Sequence, residues 1–190
     1  MVDLAGEVGA ETVSFWAGRA PGGEVGDALG AEPLAALWER LASGVSAVLE
    51  HARGTGVRLA FEPEPGMFVE RPAGFRTLRA ALGAEGAELG LCLDVGHLLC
   101  TGDLPAGAVI RRHAQELALV HLDDIRDGEH EHRMFGEGDL DLPEVLAALL
   151  ATGFAGLAAV ELSRDSHRGP AAAREAMQHL RRALGGLGPA

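Results

Sequence analysis

Residues 89–97 read LGLCLDVGH. The first part is apolar, five or six residues long, and closes on an acid. A run of that length bounded by a polar break reads as a buried strand, being too short for a buried helix. It also lacks the in-out alternation of a sheet with one wet face. Near-continuous apolar strands belong to parallel sheets covered on both sides by helices.

The same grammar recurs outward from this stretch. TVSFWAG (residues 12–18), VRLAFE (57–62), LALVHL (117–122) and LAAVEL (157–162) are further strand candidates. Between them lie helical patterns. Leu34, Leu37, Trp38, Leu41, Val45, Val48, Leu49 and Ala52 recur at helical spacing until Gly54. Residues 72–82, 105–116, 143–151 and 170–184 read as helices, with Pro143 in a first turn. A Gly- and Pro-rich loop fills residues 17–33. The order is β-α five times over, which predicts an α/β fold with a parallel sheet, in a single domain over residues 1–190.

Composition narrows the function. Hydrophobic residues make up 47% of the 190, enough for a large core, and the formal net charge is -12. That charge disfavours nucleic acid and anionic membrane surfaces as partners. No apolar run reaches membrane-spanning length, and the start, MVDLAGEVGAETV, has no signal-peptide pattern. Two cysteines, Cys92 and Cys100, form no disulfide framework, and a cytoplasmic setting is expected. Cys92 reads as a small core residue; His51, His113 and His179 read as solvated helix residues.

The last four strands carry polar residues at or near their ends: Glu62, Asp94 with His97 three residues on, His121, and Glu161. In parallel α/β folds the site lies at the carboxyl ends of the strands. A single glutamate there is ordinarily a cap or an ion-pair partner. Four such residues at equivalent places predict convergence on one point. Carboxylates with one imidazole suit a divalent metal ion: Mn, Mg, Co or Zn. Such an ion can chelate adjacent oxygens of a hydroxy-ketone while a neighbouring carboxylate moves the proton. Arg126, Arg133, Arg164 and His167 lie in loops on the same side and are candidates for a phosphate.

At LAFEPEPG, LCLDVGH, VHLDD with HEHRMFGEGDLD, and AAVELSRDSH, the chain resembles the sugar phosphate isomerase/epimerase family, the xylose-isomerase-like TIM barrels. The resemblance runs from about Gly9 to the final helix. It implies a partial (β/α)8 TIM barrel with about five βα units, and Glu62, Asp94, His121 and Glu161 as metal ligands. Glu62 and Glu161 would also be the catalytic acid and base. His97 resembles a histidine that contacts substrate oxygens. His132 falls where endonuclease-like members carry an extra metal-binding histidine, with His130 where they carry an aspartate. His97, His130, His132 and Arg126 are the expected substrate-binding residues. The pattern departs from the epimerases at two points. Asp123 stands where they have the second histidine of an HxH pair, leaving either His121 or Asp123 to face the metal. Their separate catalytic glutamate has only Glu64 and Glu70 as neighbours, not equivalents.

The expected activity is isomerisation or epimerisation of a small carbohydrate: a sugar, polyol or sugar phosphate. A lyase acting on an inosose or dehydroshikimate is the alternative; an inactive metal-binding domain and phosphodiester cleavage are further ones. By the resemblance, residues 12–18 match a fourth strand, residues 2–10 the end of the helix before it, and three earlier βα units have no counterpart. An N-terminally shortened form, or a homodimer covering open sheet edges, is the expectation that follows.

Overall fold

A computed structural model describes residues 1–20 and 33–187. Most of the loop expected over residues 17–33 lies outside the described residues. The chain divides into two compact units, residues 1–93 and 94–190.

The first unit opens with α1 (Val2–Val8), the helix end expected before TVSFWAG, closed by Gly9 in the left-handed region at φ 74°. β1 (Thr12–Phe15), α2 (Leu34–Ala52), β2 (Arg58–Phe61), α3 (Pro72–Ala81) and β3 (Gly90–Asp94) follow. β1 pairs with β2 from Thr12↔Arg58 to Phe15↔Phe61, and β2 with β3 at Ala60↔Gly90 and Phe61↔Leu91, all parallel. Parallel neighbours need long crossovers, which α2 and α3 supply. Every residue of β3 is buried, as its unbroken apolar run requires.

The core of this unit is aromatic. Phe61 stacks on Phe75 at 6.5 Å between centroids, and Phe15 meets Phe61 edge-on at 5.6 Å. The buried stripe of α2 is narrower than its periodicity suggests: Leu37, Val45, Leu49 and Ala52 are buried, whereas Leu34 and Val48 are exposed. Val48 instead lines an open groove of about 590 Å³ with Trp16, Leu41 and Phe68.

The second unit holds α4 (Val95–Thr101), α5 (Ala106–Arg112), β4 (Leu117–Leu122), α6 (Leu142–Ala151), β5 (Leu157–Val160) and α7 (Gly169–Gly186). β4 and β5 are parallel from Leu119↔Leu157 to Leu122↔Val160, joined by the crossover through α6. Helix α6 starts as expected at Pro143's turn, with the Asp141 carboxylate accepting from Glu144 N–H at 3.0 Å. Gly107 of α5 donates its N–H to Glu144 at 3.1 Å; a Cβ there would lie 2.4 Å from the same carboxylate.

Three expectations are corrected. The helix expected over 105–116 ends at Arg112, and His113, expected to be solvated, is 2% exposed and bonded to Glu116 at 2.5 Å. Helix α4 was not legible as a separate element. β5 is four residues rather than six, half of them exposed, with Leu157 at 66%, and none buried, so it is not a strand buried on both faces. Cys92, in contrast, is a fully buried core residue as read. Among the described residues no helix is long and apolar enough to cross a membrane.

Phe75 is fully buried and touches the Phe61 ring. Phe75→Ala is expected to lower stability by about 3–5 kcal/mol, read from the shift of a urea unfolding midpoint.

Candidate metal centre

β3 delivers Asp94 and then turns at once into α4. The turn is made by Asp94 itself: Oδ1 accepts from the His97 N–H at 3.0 Å, capping the helix. The residue is 1% exposed. Its Oδ2 lies 4.0 Å from His121 Nδ1 and 3.7 Å from His97 Nε2. β4 brings His121, and the residue after β5 is Glu161, whose Oε2 is 2.8 Å from His121 Nδ1. Glu161 is held there by its own N–H, which donates to the Leu122 carbonyl at 3.0 Å and extends the β4–β5 ladder by one bond.

The Asp94, His121 and Glu161 ligand atoms all lie within 4.8 Å of one another. Two carboxylates and an imidazole at that spacing fit a borderline or hard divalent cation. The hydrogen bond from His121 holds the Glu161 carboxyl below the usual carboxylate range. Partial burial opposes this, and the charges of His121, His132 and His97 reinforce it. A carboxylate kept ionised is ready to bind a cation.

Glu62, the remaining expected ligand, directly follows β2 in the first unit. It is 4% exposed, and its N–H donates to the Phe15 carbonyl at 2.8 Å.

The loop after β4 carries the other expected residues. His97, His130 and His132 form a group with ring nitrogens within 4.8 Å of one another, and His130 Nε2 is 3.0 Å from His97 Nε2. Asp123 is fully buried. One oxygen accepts from the Gly96 N–H at 3.1 Å, and the other is 2.7 Å from His132 Nδ1. The two open candidates therefore have different neighbours: His121 stands against Glu161, and Asp123 holds His132. Arg126 is exposed.

Sequence reasoning missed Asp124. It is fully buried, and its carboxylate accepts four backbone N–H groups: Ile125 at 2.9 Å, Gly136 at 2.8 Å, Gly138 at 3.0 Å and Leu140 at 2.9 Å. Its own backbone exchanges two hydrogen bonds with Arg133, at 3.0 and 2.8 Å. The loop bearing His130 and His132 is thus gathered around one side chain. Gly138 passes so close that a Cβ would lie 2.3 Å from Asp124 Oδ1. The only advance signal was the doublet Asp123–Asp124, in which one acid was weighed and the other was not.

Comparison with known proteins agrees with this layout. The family model described as xylose isomerase-like TIM barrel matches residues 1–183. An inosose dehydratase of Lacticaseibacillus casei is 26% identical over 145 residues, covering 67% of this chain and 48% of that protein. The chain thus spans about half the length of the curated relatives it matches. Among solved structures, an L-ribulose 3-epimerase superimposes with a TM-score of 0.74 at 21% identity, over 96% of this chain and 64% of the other. A structure described as IOLI protein with a binding zinc atom gives 0.71 at 20% identity, over 97% and 65%. These two likenesses establish the fold.

Removing the Asp124 carboxylate would strand several backbone donors at once. Asp124→Ala is expected to cost at least about 3 kcal/mol. Amide hydrogen exchange should accelerate first at Gly136, Gly138 and Leu140, ahead of the α6 amides.

Proposed function

We propose that this chain, which belongs to the xylose isomerase-like TIM barrel family, is a metal-dependent isomerase or epimerase of a small sugar, polyol or sugar phosphate. The observation that carries the reading is the convergence of Asp94, His121 and Glu161 within 4.8 Å. Glu62 is proposed as the fourth ligand from its place after β2, the counterpart of Asp94 at the end of β3. A divalent cation held by these residues supplies Lewis-acid polarisation of substrate oxygens.

The protein's own groups do the rest. Glu161, beside His121 at 2.8 Å, is proposed to accept a proton from a carbon next to a carbonyl, and Glu62 to return one. His97, half of the 3.0 Å histidine pair, and His132, fixed by Asp123, are proposed to bind substrate hydroxyls. His130 joins them from the exposed side of the loop. Arg126 is proposed to act from the loop's outer edge.

Dehydration is the second reading, favoured by the inosose dehydratase relative. The same carboxylate would remove the proton and a hydroxyl would leave from the adjacent carbon.

Incubation of the Mn-loaded protein with ketoses, inososes and sugar phosphates in deuterium oxide separates the readings. Deuterium at a substrate carbon with conserved mass otherwise supports isomerisation; loss of water from the substrate supports the lyase. On a confirmed substrate, Glu161→Gln is expected to reduce kcat by at least about 100-fold; full activity would remove its acid/base role. An Asp94→Ala/His121→Ala double variant is expected to lose bound Mn by elemental analysis. Metal binding without turnover of any substrate would leave a binding domain.

A further inference from the structure

We propose that two copies of this chain associate through the outer edge of β1, their β1 strands running antiparallel about a two-fold axis at Ser14. The inference lies outside the candidate metal centre and does not depend on the activity proposed there.

β1 is a terminal strand of its sheet, and among the described residues only β2 pairs with it. The bonds to β2 fix which way its backbone faces. The Arg58 N–H donates to the Glu11 carbonyl at 2.8 Å, and the Glu62 N–H to the Phe15 carbonyl at 2.8 Å. Successive residues of a strand direct their backbone N–H and C=O groups to opposite sides. Glu11, Val13 and Phe15 therefore face β2, and Thr12 and Ser14 turn theirs to the outer edge. All four residues of β1 are part-exposed, against the wholly buried β3. The edge also lacks the usual guards, since TVSF contains no proline and no charge. Apolar surface adjoins it. Trp16, directly after β1, is 54% exposed and lines the open groove beside α2 with Phe15, Val48 and Phe68.

An edge of this kind is satisfied by another extended segment, and TVSFW (residues 12–16) is complementary to itself. Antiparallel pairing centred on Ser14 sets Thr12 opposite Trp16 of the second copy, and Val13 opposite its Phe15. Each pair joins an aromatic ring to a β-branched side chain, a favourable cross-strand combination. The outward N–H and C=O groups of Thr12 and Ser14 then fall at the hydrogen-bonded positions of the new ladder. Moving the axis to Val13 or to Phe15 loses both aromatic pairs. The charges agree with the same register. Glu11 comes opposite Ala17 of the second copy and diagonal to its Arg19, and both charged residues are exposed. The contact uses one patch on both copies, so it closes at two.

Sedimentation velocity of the full chain at about 100 µM is expected to show a dimer. Ser14→Pro removes an outward-facing N–H, and Ser14→Lys sets like charges opposite each other at the axis. Neither touches the β1–β2 bonds. Both variants are expected to keep the wild-type circular dichroism and to weaken dimerisation at least about tenfold. In a Cys100→Ser background, Ser14→Cys is expected to form an interchain disulfide under mild oxidation, because residues paired at the axis lie about 5.5 Å apart between Cα atoms. Thr12→Cys is expected to form none, its two copies being about 14 Å apart along the strands. A wild-type chain that is monomeric at about 100 µM overturns the proposal. So does a dimer that survives both folded Ser14 variants, or a Thr12→Cys crosslink as efficient as that of Ser14→Cys. Should both Ser14 variants unfold, the pair of crosslinks decides.

Discussion

Asp124 draws the N–H groups of Ile125, Gly136, Gly138 and Leu140 onto its two carboxylate oxygens, in a place closed to water. A buried charge with fewer partners would be costly; with four N–H donors it is satisfied and rigid. The backbone exchange with Arg133 clamps the loop at a second point. His130 and His132 sit between these anchors, so their positions are set by main-chain bonds rather than by their own contacts alone. The placing of the two histidines thus depends on a carboxylate that the loop itself surrounds.

The two neighbouring acids divide the work because an extended chain alternates sides. Positions 121 and 123 point one way, and position 124 points the other. His121 and Asp123 accordingly both have Asp94 in their neighbourhood. Asp124 turns to the loop. The ambiguity between His121 and Asp123 in the sequence was this alternation seen from outside: the two share a face and differ in which partner each meets, Glu161 or His132.

What was legible in the sequence was local. The strands at 58–61, 90–94 and 117–122 were legible because burial on both faces leaves apolar runs with no alternation. Asp94, His121 and Glu161 were legible because they follow from where strands end. β5 was half legible: LAAV reads as apolar, yet alanines carry little burial signal, and half of the strand is exposed. Helix α4 was hidden because its seven residues include Gly96 and continue directly from β3, so no loop signal separates them. The Asp124 contacts were hidden for a different reason. Gly136, Gly138 and Leu140 lie 12 to 16 positions away in the chain, and neither periodicity nor a short motif encodes such a reach.

Asp94 is at once the last residue of β3, the cap of α4 and a donor of the candidate centre. One carboxylate oxygen caps the helix, and the other lies 4.0 Å from His121 Nδ1 and 3.7 Å from His97 Nε2. If Asp94 holds the proposed cation, chemistry and folding are inherited together at this position. A descendant that abandoned the chemistry would be under no pressure to keep the charge, yet would still need an oxygen to start α4. Asparagine satisfies that remaining demand. On the proposed role, a lineage carrying asparagine here would keep the architecture and give up the anionic ligand, and a single position would record the difference.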